Sequence, residues 1–61
     1  MELLLYGLGE AGEPLFAERL EPLHRDALRE VAAERLSRCR AVEVWDGPMC
    51  VLRLRNAATR G

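Results

Sequence analysis

Covalent and metal cross-links are scarce in this chain. Its 61 residues include two cysteines, Cys39 and Cys50, and one histidine, His24. Secreted domains of this size usually carry about four or more cysteines. One imidazole and two thiolates also fall short of the roughly four ligands of a structural zinc site. We therefore expect no metal and no cofactor.

The two thiols are not expected to form a disulfide. Cys39 lies where a strand is predicted to begin, and Cys50 lies just past the hairpin tip that ends it. About five residues of strand place roughly 15 Å between them, whereas a disulfide requires Cα atoms within about 7 Å. We expect both cysteines to be buried as small apolar side chains.

Long apolar runs are also missing. The first run, residues 3–6, is far shorter than the roughly 20 apolar residues that cross a bilayer. The segment before it has no basic residue of the kind that opens a secretory signal. We expect a cytoplasmic protein with no membrane segment.

Lysine, isoleucine and glutamine are absent, and all nine basic residues are arginine, a bias typical of a GC-rich bacterial genome. Ten acidic residues bring the net charge to −1, which gives no electrostatic argument for nucleic acid or an anionic membrane. The only serine, Ser37, lies on the polar side of a predicted helix. No spacing pairs His24 with a thiol, and so short a chain has little room for a pocket. We expect no enzymatic activity.

What the chain does contain begins with a strand that is apolar on both faces. In Leu3–Leu8, Leu4, Tyr6 and Leu8 alternate with Leu3, Leu5 and Gly7, which indicates a central strand. Residues 10–12 fit a three-residue hairpin loop with Gly12 in the left-handed conformation. The return strand is Pro14–Leu20, with Gly9 opposite Glu13 and Tyr6 opposite Phe16.

A helix follows, with Pro22 in its first turn and its end near Arg40. Its apolar stripe follows spacings of three and four residues and comprises Leu28, Val31, Ala32, Leu36 and Cys39. His24 and Arg35 interrupt the stripe. His24 is assigned to a frayed first turn. Arg35 either lays its methylene stem over the edge of the core or binds a partner carboxylate or phosphate in a bidentate manner.

The last elements are two more strands, residues 41–45 and Met49–Arg55. Pro48 has no N–H, which favours a loop of three to five residues between them. Val42 and Val44 would then share a face with Cys50, Leu52 and Leu54, while Trp45, Val51, Arg53 and Arg55 would lie on the other. The chain is therefore predicted to be an α+β protein, a ββαββ module with a four-stranded antiparallel sheet and one helix on one face. Residues 1–55 form the domain and residues 56–61 a loose tail.

Residues 7–12 spell G-x-G-x-x-G after a strand and resemble the first turn of Rossmann dehydrogenases, which implies a pyrophosphate site. Glu10 and Glu13 would repel that anion. The long helix that such a turn opens would contain Pro22, at a cost of about 3 kcal/mol. The hairpin interpretation is favoured.

Residues 6–54 resemble, more broadly, a group of short uncharacterised bacterial proteins. They share an acidic-glycine turn, here residues 10–12, an Ala-rich helix and a closing E-V-W-x-G hairpin, here residues 43–47. The resemblance implies the two-hairpin fold and no activity.

The predicted function is that of a non-enzymatic interaction protein, which dimerises or docks on a larger protein through its sheet face or an edge strand. An apolar sheet face left open would mark an interface. The predicted contact residues are Trp45, Met49, Val51 and Arg53, with Tyr6 and Arg35 behind them. Trp45 could instead be a local cap that packs on Arg53 or Arg55.

Two alternatives remain open from the sequence. One is a nucleic-acid-associated regulator that uses Arg53, Arg55 and Arg60, although the neutral charge balance makes nucleic acid the weaker partner. The other is a nucleotide binder at the turn of residues 7–12.

Overall fold

The computed structural model describes residues 3–22 and 24–56. Four strands, β1 (Leu3–Leu8), β2 (Pro14–Leu20), β3 (Ala41–Asp46) and β4 (Met49–Arg55), and one helix, α1 (Arg25–Leu36), follow in the order ββαββ. The strands form one antiparallel sheet in the order β2-β1-β3-β4. The predicted α+β class and topology are confirmed. Most of the predicted tail, residues 57–61, lies outside the described residues, and Arg60 with it.

The central strand β1 divides the sheet into two different faces. Leu3 and Leu5 are buried under α1, while Leu4, Tyr6 and Leu8 alternate with them and are half-buried. In β3 the same alternation buries Val42 and Val44 completely. Since one helix can cover one face, the odd positions of β1 form the core.

The first hairpin has the predicted loop and a different register. The Gly9 N–H donates to the Glu13 carbonyl (2.8 Å), and Gly12 has φ +82°, as predicted. Beyond the loop, Leu8 pairs with Pro14 but Gly7 pairs with Phe16, so Leu15 is the extra residue of a β-bulge. The predicted Tyr6–Phe16 pair is therefore wrong. The partner of Tyr6 is Ala17.

The bulge places Phe16 on the helix side, where it lies over Gly7. A Cβ atom built on Gly7 would overlap the Phe16 ring. Arg38, just after the helix, covers the same ring with its guanidinium carbon 5.5 Å from the centroid. The Phe16 ring thus fills the space that a side chain at position 7 would occupy.

The second hairpin is tighter than the sequence predicts. Asp46 pairs with Met49 across a two-residue loop, Gly47-Pro48, rather than a loop of three to five residues. Gly47 has φ +62°, which together with the restricted φ of proline fits a type II′ turn. The prediction failed because it considered Pro48 as a paired strand residue, where its lack of an N–H would matter, and not as the second loop residue.

A second bulge lies in β4. Val44 pairs with Leu52 and Trp45 with Cys50, which leaves Val51 as the extra residue. Val51 packs on the core, and Cys50 shares a face with Trp45. The predicted faces of Val51 and Cys50 are therefore exchanged.

The helix is shorter at both ends than predicted. It begins at Arg25, after Pro22, and beyond Leu36 it gives way to tighter turns in which the N–H groups of Arg38 and Cys39 donate three residues back. The predicted stripe packs on the sheet, with Leu28 and Ala32 buried and Val31 and Leu36 half-buried. Within the described residues no helix is long and apolar enough to cross a membrane.

Substitution of Gly12 by alanine should destabilise the protein by about 1–2 kcal/mol, because a side chain disfavours the left-handed conformation. Nothing lies near the new methyl group, so steric overlap adds nothing. Urea unfolding measures the loss. Gly12→Asn is the matched control and should lose less, since asparagine tolerates this conformation. Equal stability of Gly12→Ala and the parent would contradict the assignment.

Substitution of Gly7 by alanine should cost roughly 1–3 kcal/mol, because the methyl group displaces the Phe16 ring from its place against β1. The measurement is a double-mutant cycle in urea with Phe16→Ala. If the ring is the cause, Gly7→Ala costs much less once Phe16 is truncated. The same cost in both backgrounds would show that the ring is not responsible.

Candidate functional site

The sheet face turned away from α1 is the candidate site, called here the open face. Cross-strand pairing defines it: Leu4 lies between Arg19 and Trp45, and Tyr6 lies between Ala17 and Glu43. The pairings of β3 with β4 extend it to the sheet edge. Its members are Leu4, Tyr6, Leu8, Ala17, Arg19, Ala41, Glu43, Trp45, Cys50, Arg53 and Arg55.

The apolar side chains of the open face are only half-buried, and they surround Glu43. Leu4 on β1 pairs with Trp45 on β3, Tyr6 pairs with Glu43 and Leu8 pairs with Ala41, and each of these side chains retains part of its exposure. On the helix side of the same two strands, Leu5 has no exposure at all. The contrast arises because the open-face side chains cover one another, and no described element lies over them.

Glu43 fixes the most prominent side chain of this face. The Trp45 indole N–H donates to Glu43 Oε1 at 3.0 Å, and Arg53 Nε lies 3.4 Å from Glu43 Oε2. The Glu43 side chain is 23% exposed and the Arg53 side chain 62%. One carboxylate therefore orients the indole and holds an arginine that remains largely in water.

At one end of the open face lies a groove of about 550 Å³, called here the arginine groove. It joins the glycine turn to the end of β4, and its lining includes Gly9, Gly12, Glu10, Glu43, Arg40, Arg53 and Arg55. Arg40 donates to Glu10 at 3.1 Å. Among the described residues no acidic group pairs with Arg55. The groove thus has an excess of positive charge at the Arg55 end.

The glycine turn offers few backbone donors to an anion. The N–H groups of Gly9 and Gly12 donate to carbonyls within the turn, and the Ala11 N–H donates to Glu13 Oε1 at 2.9 Å. The strand β2 follows the turn, where a Rossmann turn would open a helix. Local geometry therefore gives no support to a pyrophosphate cradle here.

Three of the six predicted contact residues, Trp45, Tyr6 and Arg53, share the open face. Met49 is 64% exposed at the tip of the second hairpin. Val51 lies on the helix side, where it borders a small apolar cavity of about 210 Å³ together with Leu28. The sequence reasoning overlooked Glu43, although its position two residues before Trp45 places both side chains on one face.

Arg35 is engaged within the chain. Its Nε donates to Glu18 Oε1 at 2.9 Å and its Nη2 to Glu18 Oε2 at 3.0 Å, a bidentate pair between α1 and β2. Its remaining nitrogen donates to Glu34 at 2.9 Å. Of the two interpretations left open for Arg35, the bidentate contact is present, and the protein's own edge strand supplies the carboxylate on the side of the sheet opposite Trp45.

The same ion pair shifts the pKa values of Glu18 and Arg35. The hydrogen bonds from Arg35 lower the pKa of Glu18 below its ordinary value of 4.5, with a smaller contribution from the charge of Arg38. Glu18, in turn, raises the pKa of Arg35, through the hydrogen bond and through its charge. Both side chains are partly exposed, at 24% for Arg35 and 33% for Glu18, so solvent screens the pair.

Both cysteines are free. Cys39 is buried at the end of the helical segment, where its thiol lies within hydrogen-bond distance of the carbonyls of Arg35 (3.4 Å) and Ala41 (3.2 Å) and has one proton to donate to either. Cys50 is half-buried on the open face, opposite Trp45. The expectation of two buried thiols holds for Cys39 and not for Cys50.

Comparison of the chain with protein-family models, with curated proteins and with solved structures finds no match. The candidate site therefore rests on its own geometry.

Substitution of Glu18 by glutamine should reduce stability in a pH-dependent way. Because the folded-state pKa of Glu18 is lowered, the pair stabilises the protein fully above the ordinary pKa of 4.5, and this stabilisation is lost as pH falls through the lower folded value. Urea midpoints at neutral pH and below the folded pKa measure it. The difference in urea midpoint between the parent and Glu18→Gln should become smaller in acid. In an Arg35→Gln background, the same substitution should show no such change with pH. A gap that is independent of pH would contradict the ion-pair account.

Proposed function

We propose that this protein is a non-enzymatic interaction module that binds another protein through its open face, with Trp45 at the centre of the contact. The observation that supports this most directly is that Leu4, Tyr6 and Trp45 on β1 and β3 are half-buried, with no described element over them. A sheet needs an apolar layer on each apolar face, and α1 supplies one layer only. A partner protein would supply the second.

The composition of the open face suits a protein contact. Aromatic residues and arginine are enriched at protein interfaces and at their energetic hot spots. Here Tyr6 and Trp45 lie on the two central strands, and Arg53 and Arg55 lie at the rim. Glu43 holds the Trp45 indole by a hydrogen bond, so less side-chain freedom is lost on docking.

Charge favours a partner of a different kind over a second copy of this chain. Among residues 3–22 and 24–56, the β3–β4 part of the open face carries two arginines, Arg53 and Arg55, and one acidic residue, Glu43. Two copies packed face to face would bring arginines toward arginines, and like charges across an interface oppose association. The proposed occupant is therefore a protein with an acidic rim.

Nucleic acid is the second class that an aromatic and arginine-bearing sheet face could bind. Glu43 lies in the middle of this face and Glu10 lies in the arginine groove. A phosphate backbone that crosses the face would pass both carboxylates. The protein contact is the better supported of the two.

Photo-cross-linking tests the proposal. Benzoylphenylalanine in place of Ala17 lies on the exposed part of the open face next to Tyr6, and in place of Ala33 it lies on the exposed side of α1. In cells that express the protein naturally, the position 17 variant should form a covalent adduct with a partner protein, and the position 33 control should not. Replacement of an exposed alanine at both positions keeps the two variants matched.

The partner identified in this way must then bind in purified form. Fluorotryptophan labels the single tryptophan, Trp45, and its 19F resonance should shift when the purified partner is added, because the ring becomes covered. Adducts only between two copies would assign the face to a dimer. No adduct at position 17, or equal adducts at both positions, would refute the proposed function.

A further inference from the structure

The outer edge of β4 is open to an additional strand. β4 is the last strand of the sheet, and within residues 3–22 and 24–56 no element pairs with its outer side. An edge strand turns a row of backbone N–H and C=O groups away from the sheet, and these can pair with another chain. The bulge at Val51 interrupts the first half of β4, so the regular stretch is residues 52–55.

This stretch has a strict alternation of chemistry. Arg53 and Arg55 lie on the open face, opposite Glu43 and Ala41, and both are exposed. Leu52 and Leu54 lie on the helix side, where they are half-buried against the core. The edge therefore has one positively charged side and one apolar side.

We propose that the partner contributes a β-strand that pairs with the outer edge of β4, with acidic side chains beside Arg53 and Arg55 and apolar side chains beside Leu52 and Leu54. This inference rests on the proposed function and specifies the partner segment. Successive residues of a strand alternate between the faces of a sheet, so the segment must alternate acidic and apolar residues. Addition of a strand of this kind is a recurring mode of peptide recognition.

The arginine groove can hold the acidic side chains of the added strand. Arg53 and Arg55 line it, and Arg40 lies there too, bound to Glu10. Directly opposed residues on neighbouring strands have their Cβ atoms about 5 Å apart, which lets a carboxylate on the added strand reach the guanidinium opposite it. Arg55, which has no acidic partner among the described residues, gains one without losing another.

The other edge is less suited to this role. β2 begins with Pro14, which has no N–H to donate, and its bulge at Leu15 disrupts the next position. Glu18 on that strand is already bound by Arg35. Self-pairing of β4 is also disfavoured, because two antiparallel copies centred on Leu54 place Arg53 directly opposite Arg55.

Fluorescence anisotropy with labelled octapeptides tests the inference on the full chain. The probe alternates Glu and Val, and its controls alternate Gln and Val or Lys and Val. The Glu probe should bind roughly tenfold more tightly than the Gln probe, since two opposite-charge pairs each contribute a factor of a few. The preference should fall as salt is raised, because these pairs are exposed.

Matched variants locate the binding. Arg53→Gln/Arg55→Gln should lose the preference for Glu, whereas Arg25→Gln/Arg29→Gln, which removes the same charge from α1, should keep it. Arg53→Glu/Arg55→Glu should prefer the Lys probe, a gain that misfolding cannot produce. A Glu probe N-methylated at every amide keeps its side chains but has no donors, and it should fail to bind if backbone pairing is the mode.

Each other outcome overturns the inference. Equal or undetectable binding of the Glu and Gln probes rejects the acidic segment, and undiminished binding of the N-methylated probe rejects strand addition. Tighter binding of labelled oligothymidine than of the Glu probe at about 0.15 M salt would assign the arginines to nucleic acid. The cross-linking at position 17 tests the proposed function separately. A partner adduct without a preference for the Glu probe would reject strand addition at the β4 edge and would still support binding through the open face.

Discussion

One helix against a four-stranded sheet is the constraint on which the rest of this structure depends. The twelve residues of α1 span about 18 Å, close to the length of the strands, and a helix with its side chains is about 10 Å wide. Four strands are about 14 Å across. The helix therefore covers β1, β3 and β4 on one side, and it reaches β2 through side chains such as Arg35. The second face has no such cover within the described residues.

The absence of a side chain at Gly7 lets Phe16 complete the covered face. Phe16 on β2 lies over Gly7, and Arg38 lies over the ring, so the side of the core that the helix backbone leaves open is filled by an aromatic residue. The bidentate pair of Glu18 and Arg35 lies beside it and ties the same strand to α1. Both contacts need Phe16 and Glu18 on the helix side. The bulge at Leu15 is what places them there, because a slip of one residue exchanges the two faces of a strand.

The sequence predicts features that local pattern determines, namely the order of elements, the two faces of β1 and the left-handed Gly12. It does not predict the bulges. Whether a strand accommodates an extra residue depends on the side chains of the neighbouring strand, which the local pattern does not reveal. The predicted Tyr6–Phe16 pair would place Phe16 and Glu18 on the same face as Tyr6, whereas the bulge places both on the opposite face, where Glu18 binds Arg35. Arg35, for which the sequence leaves both a position over the core edge and a partner contact open, lies in this internal ion pair. Trp45, Tyr6 and Arg53 share the open face because the pairs Leu4–Trp45, Tyr6–Glu43 and Glu43–Arg53 are in regular register.

The net charge of −1 does not indicate which partner the open face binds, because the charges lie on different sides of the molecule. Salt screens exposed charges beyond about 8 Å at physiological ionic strength, and packed layers of secondary structure are about 10 Å apart. Acidic side chains on the outer side of α1 therefore contribute little to the field at the open face. A ligand there meets Arg53 and Arg55 at the edge and Glu43 further in. That order, positive at the rim and negative beside the indole, suits separate carboxylates that approach from the edge better than a continuous run of phosphates across the sheet.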